Sequence, residues 1–172
     1  MKKIFLIIFF SLIQINFVSA VSEISFIDMD KLLSTSKPGQ SILKQLKEIN
    51  NQNLKDFQNQ ETTLKESEKK LISQKNIISV EDFDAKLNKL RIEFSKYNKN
   101  KTKKLNELKQ LRIDNTNKFL EQLNPILINY SKKNSISLIL QKKNLIIGKS
   151  ELDITDEVLK EVNRDMSEFK IK

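Results

Sequence analysis

The chain has 172 residues, and its 31 lysines and arginines against 22 aspartates and glutamates give a formal net charge of +9. It contains no cysteine, histidine or tryptophan, and it has two glycines and two prolines. This composition excludes disulfides, zinc sites with Cys or His ligands, histidine-based catalytic triads and glycine-rich phosphate loops. We therefore expect a protein that is not an enzyme, with no catalytic residue, no metal site and no cofactor, built from a few long elements.

Residues 1–20 are predicted to be a signal peptide that is removed from the mature protein. Two lysines follow Met1, an unbroken apolar run covers 4–10, and Val18 and Ala20 are small residues suited to signal peptidase. An N-terminal membrane anchor is the alternative, but the apolar run is much shorter than the roughly 20 residues that a span needs. We expect export and cleavage after Ala20, and loss of the two lysines leaves a mature net charge of +7.

The first elements of the mature chain are predicted to be a short strand and a long helix. β-branched and aromatic residues at 24–29 favour the strand. From about 40 to 75 the chain has neither proline nor glycine, and Phe57, Leu64 and Leu71 lie seven residues apart. This spacing predicts a helix with a heptad seam. The seam is expected to pack loosely because several of its positions are polar: Asn50, Asn53, Gln60 and Ser67.

A second long helix is predicted to begin after Ser79 and to continue to about residue 130. Ser79 can cap the third amide of this helix, and apolar residues then recur at spacings of three and four. The short connection makes the two helices antiparallel neighbours, with the tip of the hairpin near 73–80. A proline is unfavourable inside a helix, so Pro125 predicts a kink or restart near Asn124. Four aromatic residues are interpreted as seam residues and not as partner contacts: Phe57, Phe83, Phe94 and Tyr97.

The remainder of the chain is predicted to form a β-hairpin and a short helix. Residues 136–141 alternate between the two sides of a strand, and the apolar run at 145–147 favours a second strand that ends at Gly148. Thr155 is the predicted cap of the last helix.

The predicted fold is therefore mainly α with a small β body. A long antiparallel helical hairpin, residues 41–129, is expected to project from a short-stranded sheet formed by residues 21–40 and 130–172. A body of this size is marginally stable alone, so we expect it to assemble with other subunits. The expected oligomerisation core consists of seven apolar residues: Ile24, Phe26, Leu138, Leu140, Ile146, Val158 and Leu159.

Short segments at both ends of the mature chain carry a family resemblance. They are I-S-F-I-D-M at 24–29, S-L-I-L at 137–140, L-I-I-G at 145–148 and D-I-T-D-E-V-L-K-E-V-N at 153–163. The D-I-T-x-x-V-L pattern after a β-hairpin is the most specific of them. With the signal peptide and the long charged hairpin, they resemble the Skp/OmpH family of periplasmic chaperones over essentially the whole mature chain. Within the hairpin the resemblance is one of pattern.

The resemblance implies both an assembly and a function. Members of this family are trimers, in which short strands combine into a small body and three helical hairpins project from it. The cavity between the hairpins holds unfolded outer-membrane β-barrel proteins in the periplasm without using ATP. The resemblance thus implies a periplasmic, ATP-independent holdase chaperone that forms a homotrimer and prevents aggregation of unfolded outer-membrane proteins.

Two groups of residues are candidates for contact with unfolded client proteins. The first is the pair Ile77 and Ile78 at the tip, which could equally staple the turn. The second is the densest basic run, which either attracts acidic clients or is a solvated helix face. Contact of these surfaces with anionic lipid or lipopolysaccharide is a further expectation. The basic candidates are Lys96, Lys99, Lys101, Lys103 and Lys104.

Two other protein classes are kept as alternatives. A structural coiled-coil adaptor of the cell envelope would share the hairpin but would show no preference for unfolded proteins. A nucleic-acid-binding protein would fit the basic composition. The export signal argues against that class, and the lysines come with no readout motif. We therefore expect no nucleic-acid partner.

Three acidic residues suggest a constellation: Asp28, Asp153 and Asp156. No nucleophile accompanies them, so general acid–base catalysis is rejected. Asp153 and Asp156 are interpreted as helix-start residues, which favour the positive end of a helix dipole.

Overall fold

The computed structural model describes residues 23–171, and the predicted signal peptide lies outside this range. In chain order the elements are β1 (Glu23–Ile27), α1 (Met29–Thr35), α2 (Lys37–Ser73), α3 (Val80–Lys133), β2 (Ile136–Gln141) and α4 (Thr155–Asp165). Two single-turn 3-10 helices, Lys142–Asn144 and Ser150–Leu152, lie between β2 and α4. No helix in the described range is long and apolar enough to cross a membrane. The predicted fold class, mainly α with a small sheet, is confirmed.

The two strands pair in parallel, with Phe26 of β1 opposite Leu140 of β2. Parallel neighbours need a long crossover connection, and the whole helical hairpin provides it. The other edge of β1 is closed by the segment before α4, where the Ile154 N–H donates to the Phe26 carbonyl over 3.0 Å. Within residues 23–171 no strand pairs with the outer edge of β2.

The predicted β-hairpin is wrong, because β2 forms but 145–147 is not a strand. The 3-10 turn at Lys142–Asn144 directs the chain across the ring of Phe26 and not back along β2. This crossing requires a residue without a side chain, since a Cβ at Gly148 would lie 2.7 Å from a Phe26 ring carbon. The apolar run at 145–147 therefore lies largely on the surface.

The two long helices form the predicted hairpin, with its tip between Ser73 and Val80. Ser79 caps α3 as predicted, since its hydroxyl oxygen accepts a hydrogen bond from the Asp82 N–H over 3.1 Å. The rings of Phe57 and Tyr97 join the two helices with their centroids 6.4 Å apart.

α3 continues without a break through Pro125, so of the predicted kink or restart near Asn124 the restart is wrong and the kink stays a prediction. Proline has no N–H, so the carbonyl of Glu121 lacks the hydrogen bond that residue 125 would otherwise donate to it. Pro125 and Glu121 both lie on the exposed side of the helix. Water can therefore satisfy that carbonyl, while Leu123 and Ile126 hold the opposite side against the core. Tertiary packing thus outweighs the roughly 3 kcal/mol that a proline costs in an isolated helix.

The buried side chains form two separate clusters. The body cluster lies where α1, α4 and the inner ends of α2 and α3 meet the sheet, and it includes Leu32, Phe119 and Val158, which have no exposed surface. On α2 no residue between Leu46 and Phe57 is buried, so a polar stretch separates this cluster from the outer one. The outer cluster, here called the hairpin cluster, confirms the predicted seam: Phe57, Leu64, Leu71, Leu90 and Tyr97.

The predicted cap of the last helix is wrong, because Thr155 is the first residue of α4 and caps nothing. The Asp153 carboxylate takes that place and accepts hydrogen bonds from the Thr155 N–H, over 3.1 Å, and from the Thr155 hydroxyl. The Thr155 hydroxyl oxygen in turn accepts a bond from the Asp28 N–H over 2.9 Å. Thr155 therefore ties the start of α4 to the end of β1, a role that requires the folded chain.

Candidate functional site

Lys101 lies on the aromatic part of the hairpin cluster. Its ammonium nitrogen is 5.9 Å from the ring centroid of Phe57 and 5.7 Å from that of Tyr97, and these rings pack edge to face. Such cation–π contacts contribute about 0.5–1 kcal/mol each at partly exposed sites. Lys101 thus helps to hold the two helices together, and its predicted role in client binding stays a prediction.

The other lysines of the basic run differ in how free their charges are. The ammonium nitrogens of Lys103 and Lys104 lie 3.9 and 3.2 Å from carboxylate oxygens of Glu107. Lys96 and Lys99 are exposed, and no described side chain forms an ion pair with either of them. Among the predicted basic residues, these two therefore have the charges most available to an acidic partner.

The tip of the hairpin exposes more apolar surface than the sequence predicted. Ile77 is 79% exposed, whereas Ile78 is partly buried and its N–H donates to the Gln74 carbonyl within the turn, over 3.2 Å. Sequence reasoning missed Ile72 and Val80, which are 62% and 72% exposed. Their positions were the available signal, since Ile72 follows a seam residue, Leu71, and Val80 follows the capping residue Ser79.

Apolar side chains are also exposed along the length of both helices. Single exposed apolar residues are common on protein surfaces. Here they recur along a hairpin whose remaining surface is rich in lysine and amide side chains, so an extended chain could touch several of them at once. The exposed apolar residues of the hairpin below its tip are Leu54, Ile92, Leu105, Ile113, Leu120 and Ile128.

Four of the predicted oligomerisation residues lie on one face of the sheet. Because side chains alternate along a strand, Ile24 and Phe26 share a face with Leu138 and Leu140 of the paired strand. This face is opposite the one that sends Ile27 into the body cluster. Ile24 and Leu138 are about half exposed, and a groove of about 620 Å³ runs beside β2 along α3. The sheet thus presents apolar surface next to a strand edge that no strand within 23–171 pairs with.

The remaining predicted oligomerisation residues lie elsewhere. Val158 is fully buried and Leu159 is partly buried in the body cluster, so both pack within the chain itself. Ile146 lies fully exposed in the segment after β2. The structure therefore brings together the four sheet residues of the predicted set but not the other three.

Lys142 joins two of the three acids that the sequence singled out. Its ammonium nitrogen lies 2.9 Å from a carboxylate oxygen of Asp153 and 4.0 Å from one of Asp28, whereas Asp156 forms its ion pair elsewhere. Burial acts to raise the pKa of Asp153, but hydrogen bonds from Thr155 and Lys142 outweigh it, and the pKa is lowered. The bond with Asp153 raises the pKa of Lys142. The pair stays ionised near neutral pH and fastens the sheet to the start of α4.

Comparison with known proteins agrees with this architecture. A crystal structure assigned to an OmpH-like outer membrane chaperone from Caulobacter crescentus CB15 shares the fold, with a TM-score of 0.80 at 15% identity over 87% of this chain and 89% of that chain. Among curated proteins, no sequence matches this one. The family model described as outer membrane protein (OmpH-like) matches residues 23–162. Since that match covers most of the chain, the protein belongs to the OmpH-like family.

Proposed function

We propose that this protein is an ATP-independent holdase chaperone of the periplasm, which binds unfolded outer-membrane β-barrel proteins and prevents their aggregation. Membership of the OmpH-like family supports a chaperone role and not an enzymatic one. The proposal includes export by the predicted signal peptide. Mass spectrometry of protein from a periplasmic fraction should find a chain that begins at Val21, and an uncleaved chain would contradict this part.

The observation that carries the proposal is the helical hairpin. Its helices have 37 and 54 residues. The buried cluster in its outer half consists of five side chains, which is few for helices of this length. The exposed apolar residues at the tip and along the helices can make many weak contacts with an extended chain. Such contacts suit a client without fixed structure, because affinity then comes from the number of contacts and not from the shape of one pocket.

We propose further that copies of the chain assemble through the sheet face and the unpaired edge of β2, with the hairpins enclosing the client. An exposed strand edge beside half-exposed apolar residues is a surface that another strand would cover. The number three comes from the family resemblance, and light scattering of the purified protein should give the mass of a trimer.

A pair of matched variants locates this interface. Leu138→Asp should dissociate the assembly, whereas Leu54→Asp should not, although Leu54 is exposed to a similar degree, 53% against 48%. A folded, monodisperse monomer of the unmodified protein at micromolar concentration would contradict the proposed assembly.

Suppression of aggregation tests the holdase activity. A β-barrel membrane protein diluted from urea scatters light as it aggregates, and we expect one assembly per client to suppress this scattering without nucleotide. The same client in its folded form should not bind. Equal binding of the folded and unfolded forms, or binding of neither, would favour the structural adaptor.

Lysine charges on the hairpin are proposed to speed capture of acidic clients. Lys96→Glu with Lys99→Glu reverses the two charges of the basic run that pair with no described side chain, and it leaves the aromatic cluster intact. Attraction between exposed charges is screened over roughly 8 Å at physiological salt. We therefore expect association, followed by stopped-flow fluorescence at low salt, to slow about tenfold while dissociation changes little. Lys149→Glu with Lys160→Glu makes the same charge change on the body, and equal rates for the two double variants would refute a local role.

Contact of the tip with anionic lipid or lipopolysaccharide is the last part of the proposal. Ile72, Ile77 and Val80 offer exposed apolar side chains, and Lys75 lies exposed among them. We expect the protein to sediment with vesicles that contain anionic lipid more than with zwitterionic vesicles, and Ile77→Ser should weaken this binding. Absence of binding to both anionic vesicles and lipopolysaccharide would remove this part.

A further inference from the structure

Residues 166–171, here called the trailing segment, follow α4 and lie along α2 outside any helix or strand. The side-chain amide of Gln45 holds this segment with both of its polar atoms. Its nitrogen donates to the Phe169 carbonyl over 2.6 Å, and its oxygen accepts from the Ile171 N–H over 3.0 Å. The Ser41 hydroxyl also donates to the Phe169 carbonyl, over 3.4 Å. Gln45 thus bonds to the backbone of alternate residues, as one residue of a parallel strand bonds to its neighbour.

Apolar side chains complete the attachment of the trailing segment. Met166 is 7% exposed and belongs to the body cluster, and Phe169 and Ile171 pack against that cluster. The ring centroid of Phe169 lies 6.5 Å from that of Phe119, which is fully buried. An open cleft of about 550 Å³ continues beside the segment along α2. The trailing segment therefore fills one side of a wider groove.

We propose that this groove at the base of the hairpin binds extended segments of unfolded clients, and that the trailing segment occupies it when no client is bound. The proposal rests on the proposed chaperone function. Gln45 and Ser41 contact backbone groups, which every polypeptide has, so the groove selects for pattern and not for a particular sequence. Phe169 and Ile171 show the pattern that fits, with apolar residues at alternate positions. The strands of outer-membrane barrels have the same alternation.

Covalent attachment gives the trailing segment an advantage over a free peptide. A linked ligand acts at an effective concentration on the order of millimolar. A free short peptide, which binds more weakly than the attached segment, is thereby excluded. A long client that the hairpins already hold also acts at high local concentration, so it can compete with the segment. The groove then admits captured clients in preference to free peptides.

The trailing segment lies beyond 23–162, the range that the family model matches, so the proposal does not follow from family membership.

Peptide binding to the full chain tests the groove. The probe is a fluorescein-labelled peptide with the sequence of residues 164–171. A release variant, Phe169→Ser with Ile171→Ser, removes both alternate apolar side chains from the groove, and thermal unfolding checks that the variant stays folded. Fluorescence anisotropy should show that the release variant binds the probe at least tenfold more tightly than the unmodified protein does.

A further substitution tests the role assigned to Gln45. Gln45→Ala added to the release variant should weaken probe binding about tenfold, since two hydrogen bonds are lost. The matched control is Gln58→Ala, an exposed glutamine on the same helix, which should leave probe affinity unchanged. Equal affinity of the unmodified and release proteins, or no effect of Gln45→Ala, would overturn the proposal.

A second measurement leaves Gln45, Phe169 and Ile171 in place. Because the sequence contains no cysteine, Lys170→Cys creates a single site for a spin label, and Lys160→Cys on α4 is the matched control. Addition of an unfolded barrel protein should increase the mobility of the label at 170 and leave that at 160 unchanged. If the mobility of the label at 170 does not change when client binds, the proposed displacement of the trailing segment is wrong. If the protein binds no unfolded client at all, the proposed function is wrong. The experiment with the peptide probe and the release variant still decides in that case whether the groove binds an extended segment.

Discussion

Leu64→Ala is expected to destabilise the outer half of the hairpin without unfolding the body. Leu64 is 8% exposed and belongs to the five-residue hairpin cluster, which a polar stretch separates from the body cluster. Truncation of a buried leucine to alanine costs about 2–5 kcal/mol. The lower end applies because two unsupported helices can close on the space left behind, so we expect about 2 kcal/mol.

Hydrogen–deuterium exchange measures this loss segment by segment. A loss of about 2 kcal/mol corresponds to roughly 30-fold faster exchange through local opening. The faster amides should be confined to about 57–97, while those of α4 and β2 exchange as in the unmodified protein. The matched control is Phe119→Ala in the body cluster, where truncation costs about 3–5 kcal/mol and should speed exchange throughout the body.

Equal acceleration in the hairpin and the body of Leu64→Ala would refute this reasoning, because it would show that the two clusters unfold as one unit. Confinement to the hairpin would mean that the outer half opens while the body stays assembled. A hairpin with this property can deform around clients of different size, which links the gap between the clusters to the proposed function.

Three further substitutions test single contacts. Gly148→Ala should cost about 1–3 kcal/mol in urea unfolding, because its Cβ would lie 2.7 Å from a Phe26 ring carbon, and a neutral result would show that the crossing segment yields. Tyr97→Phe should stabilise the hairpin by up to about 1 kcal/mol, since the Tyr97 hydroxyl is buried and forms no hydrogen bond of ordinary geometry with a described group; faster hydrogen exchange in the variant would contradict this. Asp153→Asn should lower stability at neutral pH. Because the folded-state pKa of Asp153 lies below its ordinary value of 3.8, its contribution is full above that value and is lost as the pH falls through the lowered pKa. The difference between variant and unmodified protein in urea unfolding should therefore shrink below about pH 4, and a difference that does not vary with pH would count against the ion pair.

The candidate site was only partly predictable, because exposure and pairing differ among residues of the same type. Lys96 and Lys99 are exposed and unpaired among the described side chains, but their neighbour Lys101 lies on an aromatic pair contributed by both helices. No spacing within α3 shows that contact, since one of its rings belongs to α2. The groove of the trailing segment was missed for a similar reason, because Gln45 and Ile171 are 126 residues apart.

The sequence by itself determined the helical hairpin, its buried seam and its tip. Phe57, Leu64 and Leu71 are buried as their heptad spacing predicts, and Ser79 caps α3 as its position before an acidic turn predicts. Helix formation depends on residues three, four and seven apart, so a linear pattern contains the information needed. Tertiary structure decided how the strands pair, where 145–147 goes and how α3 accommodates Pro125. Each of these depends on groups distant in sequence, because a strand acquires its partner, and a helix its supporting core, only after the hairpin has brought the two ends of the chain together.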